Sequence, residues 1–132
     1  MKLGYTILYV ADVAAAMEHY AKAFGCAKRF LHESKLYGEV ETGPTILGFA
    51  SLQMAGFNGV EMRSGALDEP TGPMNITFVT SEVQEHYDRA LAHGATAVVP
   101  PKEKPWGQLS SYVRDIDGHL VEIASPIADE HR

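Results

Sequence analysis

The 132-residue chain has one cysteine, one tryptophan and no long apolar run. A single thiol, Cys26, cannot form an intrachain disulfide, and such sparing use suits a reducing, cytoplasmic compartment. No stretch approaches the roughly 18 consecutive apolar residues of a membrane-spanning helix. Lys2 is the sole cation near the N-terminus, and Asp12 and Glu18 interrupt the apolar run behind it, so no secretory leader is expected. Basic residues are also short: 11 Lys+Arg stand against 17 Asp+Glu, a formal net charge of −6. Beyond Lys28-Arg29 and Lys102–Lys104 they do not cluster, which argues against nucleic acid, whose phosphates need neutralising. Neither a Gly-x-Ser-x-Gly elbow nor a phosphate-binding loop occurs. The six histidines, His19, His32, His86, His93, His119 and His131, share no face of one element, so they predict no zinc site.

What the chain does contain is an internal repeat. Tyr5–Asp12 and Asn75–Glu82 each read as an apolar strand that delivers an acidic residue to a helix start, and the helices stop at Gly25 and Gly94. In the first copy Asp12 is the expected N-cap, and Val13, Met17, Tyr20 and Phe24 recur at helical spacing. Three strands follow, over Lys28–His32, Tyr37–Thr42 and Thr45–Met54. In the second, the helix spans Glu82–His93, and strands are expected at Ala95–Val99 (ended by Pro100-Pro101), Gln108–Arg114 and His119–Ala124. An Asp-Gly turn at Asp117-Gly118 joins the last two. The fold class expected is α+β: tandem βαβββ modules forming a half-open mixed-sheet barrel with a concave cleft. The first module covers 1–55 and the second 74–132. Residues 56–73, rich in Gly, Pro and Asn, form a linker or cleft-covering loop, and the tail from Ala128 is expected to fray.

Pro105-Trp106-Gly107, followed by Tyr112-Val-Arg-Asp-Ile-Asp-Gly-His-Leu-Val-Glu-Ile123, resembles the vicinal oxygen chelate superfamily, which includes glyoxalase I, extradiol dioxygenases and bleomycin-resistance proteins. The resemblance spans nearly the whole chain. It implies metal-ligand positions on strands of both modules, at Tyr5, Asn75 and Glu122, where metal-using members carry His, Gln or Glu. Only Glu122 matches. The corresponding strand of the first module, within Thr45–Leu52, has no acid or histidine in either register. A neutral tyrosine and an amide are poor ligands, so no metal is expected.

Several residues carry two readings. Glu122 either orients a ligand or is a strand carboxylate satisfied by neighbours, and without a metal its burial would tend to raise its pKa unless a partner intervenes. Tyr5 and Asn75 line the cleft beside it or simply satisfy it. Trp106 either walls a planar ligand or plugs a turn. Glu39 and Glu41 share one side of their strand, giving an acidic pocket or a solvated edge, the latter preferred. Phe49, Met54 and Phe57 line an apolar pocket or the core. The leading functional expectation is a cofactor-free binder that holds a small organic molecule, cationic or aromatic, in the cleft as a homodimer, through Tyr5, Asn75, Glu122, Trp106 and Phe49. The alternative is a lyase, isomerase or dioxygenase using a divalent metal. Metal-free acid–base chemistry by Glu122 and Tyr5 ranks third, and no catalytic residue is assigned.

Overall fold

A computed structural model describes residues 1–128. The rest of the tail, including His131, lies outside the described residues. The first module consists of β1 (Tyr5–Val10), α1 (Val13–Phe24), β2 (Ala27–Leu31), β3 (Tyr37–Glu41) and β4 (Ile46–Ser51). A short helix, α2 (Leu52–Phe57), follows. The second module consists of β5 (Ile76–Val79), α3 (Val83–Ala92), β6 (Thr96–Glu103), β7 (Leu109–Arg114) and β8 (Leu120–Ala124).

The two modules form two four-stranded mixed sheets of identical topology, ordered β1-β4-β3-β2 and β5-β8-β7-β6. In each, the first strand runs parallel to the last and the remaining pairs are antiparallel. The parallel pairing needs a crossover, which the helix supplies while covering one face. Strand alternation divides the side chains. In β1, Leu8 and Val10 are buried beneath α1, whereas Tyr5, Ile7 and Tyr9 point to the opposite, concave face. Helix α1 answers with Val13, Ala16, Met17, Tyr20 and Ala23 on its buried stripe, and α3 with Val83, Tyr87 and Ala90. The two helices also pack on each other, and Phe24 of α1 stacks on Phe78 of β5 at 5.3 Å between ring centroids. Asp12 caps α1 by accepting the Ala15 N–H, and Gly25 ends it in the left-handed conformation.

Three local expectations change. The strand expected to run to Met54 stops at Ser51, whose hydroxyl accepts the Gln53 N–H and starts α2 instead. The helix consequently takes in the start of the segment expected to be a linker. Strand β6 does not end before Pro100-Pro101 but passes through them to Glu103. It lies at the sheet edge, and its pairing to β7 slips at Ala97/Val99 and Val99/Lys102, the setting in which a strand tolerates missing N–H groups.

The Asp115–Gly118 turn works as a seam between modules. Asp115 accepts the Tyr20 hydroxyl of α1 and the N–H groups of Asp117 and His119. Asp117 accepts the Ala11 N–H, and His119 Nε2 donates to the Tyr9 carbonyl. Beside them Arg114, itself buried, gives its guanidinium to the carbonyls of Gly118, Ala66, Leu67 and Glu69. The motif that carried the resemblance therefore holds the two modules and their connection together.

Candidate functional site

The strand registers make the two sheets comparable residue by residue. Thr77 pairs Glu122 as Ile7 pairs Gly48, and Tyr112 pairs Glu122 as Glu39 pairs Gly48. Gly48 is therefore the first-module counterpart of Glu122, and Tyr5, two residues before Ile7, is the counterpart of Asn75.

On the second concave face, Glu122 is surrounded by donors. Thr77 Oγ1 donates to Oε1 at 2.8 Å and Asn75 Nδ2 at 3.4 Å. Ser110 Oγ, Lys104 Nζ and Tyr112 Oη reach Oε2 at 2.5, 2.9 and 3.1 Å. Burial pushes the Glu122 carboxyl up, but the hydrogen bonds of Ser110, Lys104, Thr77 and Tyr112 outweigh it and hold it down at about 2. The tendency towards a raised pKa is thus reversed, because the site provides the partner that a bare buried carboxylate would lack. Lys104 also donates to Tyr112 Oη at 2.9 Å, and its ammonium lies 5.5 Å and 5.3 Å from the ring centroids of Trp106 and Tyr112. The hydrogen bond to the Tyr112 hydroxyl first, and that to Glu122 second, raise the Lys104 pKa. Trp106 remains 44% exposed, with its indole N–H bonded to Gln108.

The first concave face repeats this chemistry on different strands. Tyr37 donates to Glu39 at 2.7 Å, and Arg29 lies 3.4 Å from Glu39 and 3.1 Å from Glu41. Glu39 is buried, so the preferred reading of a solvated edge fails for it, while Glu41 is exposed. Burial first, then the bond to Glu39, raises the Tyr37 pKa. The Tyr37 hydroxyl occupies the space over Gly48, where a built Cβ would lie only 2.6 Å from it.

Of the expected site residues, the structure brings Asn75, Glu122 and Trp106 to one face, with Lys104 linking the last two. Tyr5 lies on the other sheet, exposed and near enough to Tyr37 to influence its titration, and among the described residues it makes no hydrogen bond to Glu122. Phe49 is not in the cleft. Its position on β4 turns it towards α1, where it is wholly buried with its ring 4.9 Å from that of Tyr20. Phe57 is exposed on α2. Lys104, Thr77 and Ser110 were not singled out from sequence. The signal was present in strand parity: Thr77 follows Asn75 by two, and Ser110 precedes Tyr112 by two, so each pair shares a face.

The donor set does not fit a catalytic metal. The four family positions hold a phenol, a glycine, an amide and one carboxylate already bonded to an ammonium. Among the described residues no group of three His, Cys, Asp or Glu side chains gathers to hold an ion. No helix is long and apolar enough to cross a membrane.

Comparison with known proteins follows the same lines. A family model described as the Glyoxalase/Bleomycin resistance protein/Dioxygenase superfamily matches residues 2–123. An uncharacterized protein of Mycobacterium bovis is 28% identical, with the match covering 92% of this chain and 82% of the relative. Among solved structures, a glyoxalase-related enzyme from Fulvimarina pelagi superposes with a TM-score of 0.81 at 25% identity, covering 96% of this chain and 88% of that one. A glyoxalase/bleomycin resistance protein/dioxygenase family enzyme from Burkholderia phytofirmans gives a TM-score of 0.75 at 21% identity, over 97% and 100% of the two chains, a likeness of fold.

Proposed function

The chain belongs to the glyoxalase/bleomycin resistance protein/dioxygenase superfamily, and on that footing we propose that it is a metal-free binder of a small planar organic molecule, held on the second concave face. The observation that carries this reading is the state of Glu122. Its two oxygens are taken by Thr77 and Asn75 on one side and by Ser110, Lys104 and Tyr112 on the other. A metal would have to displace an ammonium from the only carboxylate in the family positions, and each bond lost from a buried carboxylate costs about 1–3 kcal/mol. What stays accessible is the indole of Trp106, beside Lys104 and Tyr112. Aromatic surface of this kind stacks on planar rings. Because Lys104 neutralises Glu122, the second face, where Trp106 lies, carries no uncompensated charge that would single out a cation; the carboxylate excess, two acids against Arg29, lies on the first face. The ligand class supported is therefore neutral and aromatic.

Exposed apolar side chains on the concave faces, among them Tyr5, Phe30, Val79 and Trp106, support a homodimer in which a second copy closes the cleft. The cytoplasm remains the proposed location, with Cys26 as a free thiol. Two measurements test the reading. Elemental analysis of protein purified without chelator should find no stoichiometric divalent metal; an ion present in wild type and lost in Glu122→Ala would overturn it. Calorimetric titration with coumarin should saturate in wild type and weaken at least about tenfold in Trp106→Ala, a change of about 1.4 kcal/mol. Equal binding by both proteins would remove Trp106 from the site.

A further inference from the structure

The connection between the modules roofs a cavity that shares only Asn75 with the Glu122 cluster. Residues 58–75 join α2 to β5 without regular structure, beyond the roughly 12–15 residues at which such loops become uncommon unless they serve a function. The span is nonetheless fastened. Arg114 holds the carbonyls of Ala66, Leu67 and Glu69 at 3.2 Å or less, and the backbones of Gly65 and Gly118 meet so closely that neither position has room for a Cβ. Beneath it is a cavity of about 400 Å³, within the range of pockets that enclose small molecules. Its floor is Ile7 of β1, Ile76 of β5 and Leu120 of β8, and Met62, Pro70 and Met74 close it from the connection.

The charges bordering this space are already matched. Arg63 pairs with Glu69 at 3.4 Å, Arg114 spends its donors on four carbonyls, and His119 gives Nε2–H to Tyr9. The hydroxyls of Tyr9, Ser64 and Thr71 at the wall make no hydrogen bond among the described residues, and Asn75 is the polar group held in place: it directs its amide N–H groups to Thr77 and Glu122, and its carbonyl oxygen accepts no hydrogen bond among the described residues. We infer that this cavity is a second ligand site, for a neutral, largely apolar molecule that donates one hydrogen bond to Asn75 Oδ1, the chemistry of a phenol or an alcohol. Apolar walls supply the affinity and the amide oxygen fixes the orientation. Along Pro70–Pro73 the only hydrogen bond among the described residues is local, from the Met74 N–H to the Gly72 carbonyl. Since Asn75 also donates to Glu122, the two sites touch through one side chain.

The test is a titration of isotope-labelled, full-length protein with para-propylphenol, followed by amide chemical shifts. The result expected is a saturable shift of the Gly65, Gly72 and Met74 amides, with a dissociation constant below about 1 mM, attainable for a ligand of about ten non-hydrogen atoms. Ile7→Trp, which fills the floor, should weaken it at least about tenfold, and Thr71→Trp on the roof serves if the first variant does not fold. Trp106→Ala should leave it unchanged, which separates this site from the aromatic cleft. No saturation, a response centred on the Trp106 indole instead, or full binding by the filled variant would overturn the assignment.

Discussion

Tyr20 donates a 2.6 Å hydrogen bond to Asp115, 95 positions away in sequence and in the other module. Both groups are buried to within 1% of full enclosure. Burial first, and the neighbouring Asp115 carboxylate second, raise the Tyr20 pKa well above that of a free phenol, so the hydroxyl stays a donor. Tyr20→Phe should cost about 2 kcal/mol in urea unfolding, the scale of a hydrogen bond to a charged acceptor. Asp115→Ala should cost more, because it also orphans the N–H groups of Asp117 and His119. The double variant should cost less than the sum of the two. Additive losses would mean that the two side chains act independently.

Glu122 predicts an acid limb in stability. Its folded pKa, about 2, lies below its ordinary value of 4.5, so the contribution is complete above pH 4.5 and is lost as pH falls towards 2. Urea midpoints measured across that window should drop steeply for wild type. Glu122→Gln should be less stable near neutrality and flatter below pH 4.5. An unchanged slope would show that other carboxylates govern acid unfolding.

His19 acts at higher pH. Its Nδ1 lies 3.1 Å from the His93 carbonyl, while its Nε2 is buried without a partner. Burial lowers the pKa of the ring from 6.5, against the upward pull of Asp115. The depressed value means that the unfolded chain takes up the proton first, so stability falls as pH drops through 6.5. Replacing His19 with Phe should flatten the pH dependence between about pH 7 and pH 5, read from thermal midpoints. A wild-type midpoint constant over that interval would refute the assignment.

Cys26 should be chemically silent in the folded protein. Burial pushes its thiol up to about 11, only partly offset by the nearby Arg89. Since the thiolate is the reactive species, labelling with an aromatic disulfide at neutral pH should be slow, and should become fast and stoichiometric once urea unfolds the chain. Rapid labelling without denaturant would show that this part of the core opens readily.

The repeat was legible because strand alternation and helical spacing are local properties, and the sheets follow from them. The fate of individual side chains was less so. Phe49 and Gly48 are adjacent on β4, and only register decides that one faces α1 and the other the cleft. Lys104 lies beyond β6 and reaches Glu122 only because β7 turns back beside β8. Such a contact depends on three strands at once, which no window of sequence contains. Arg114 was visible as part of a motif, but its grip on Ala66, Leu67 and Glu69 depends on the course of an irregular connection.

Pro100 and Pro101 occupy the outermost strand of the second sheet. Two successive residues there lack the N–H that a neighbouring strand would seek, and the slips at Ala97/Val99 and Val99/Lys102 bend what remains. This border is poorly suited to edge-to-edge growth between molecules, whether into ordered dimers or into amyloid-like stacks. Association between copies is directed away from the β6 margin and onto the faces of the sheets.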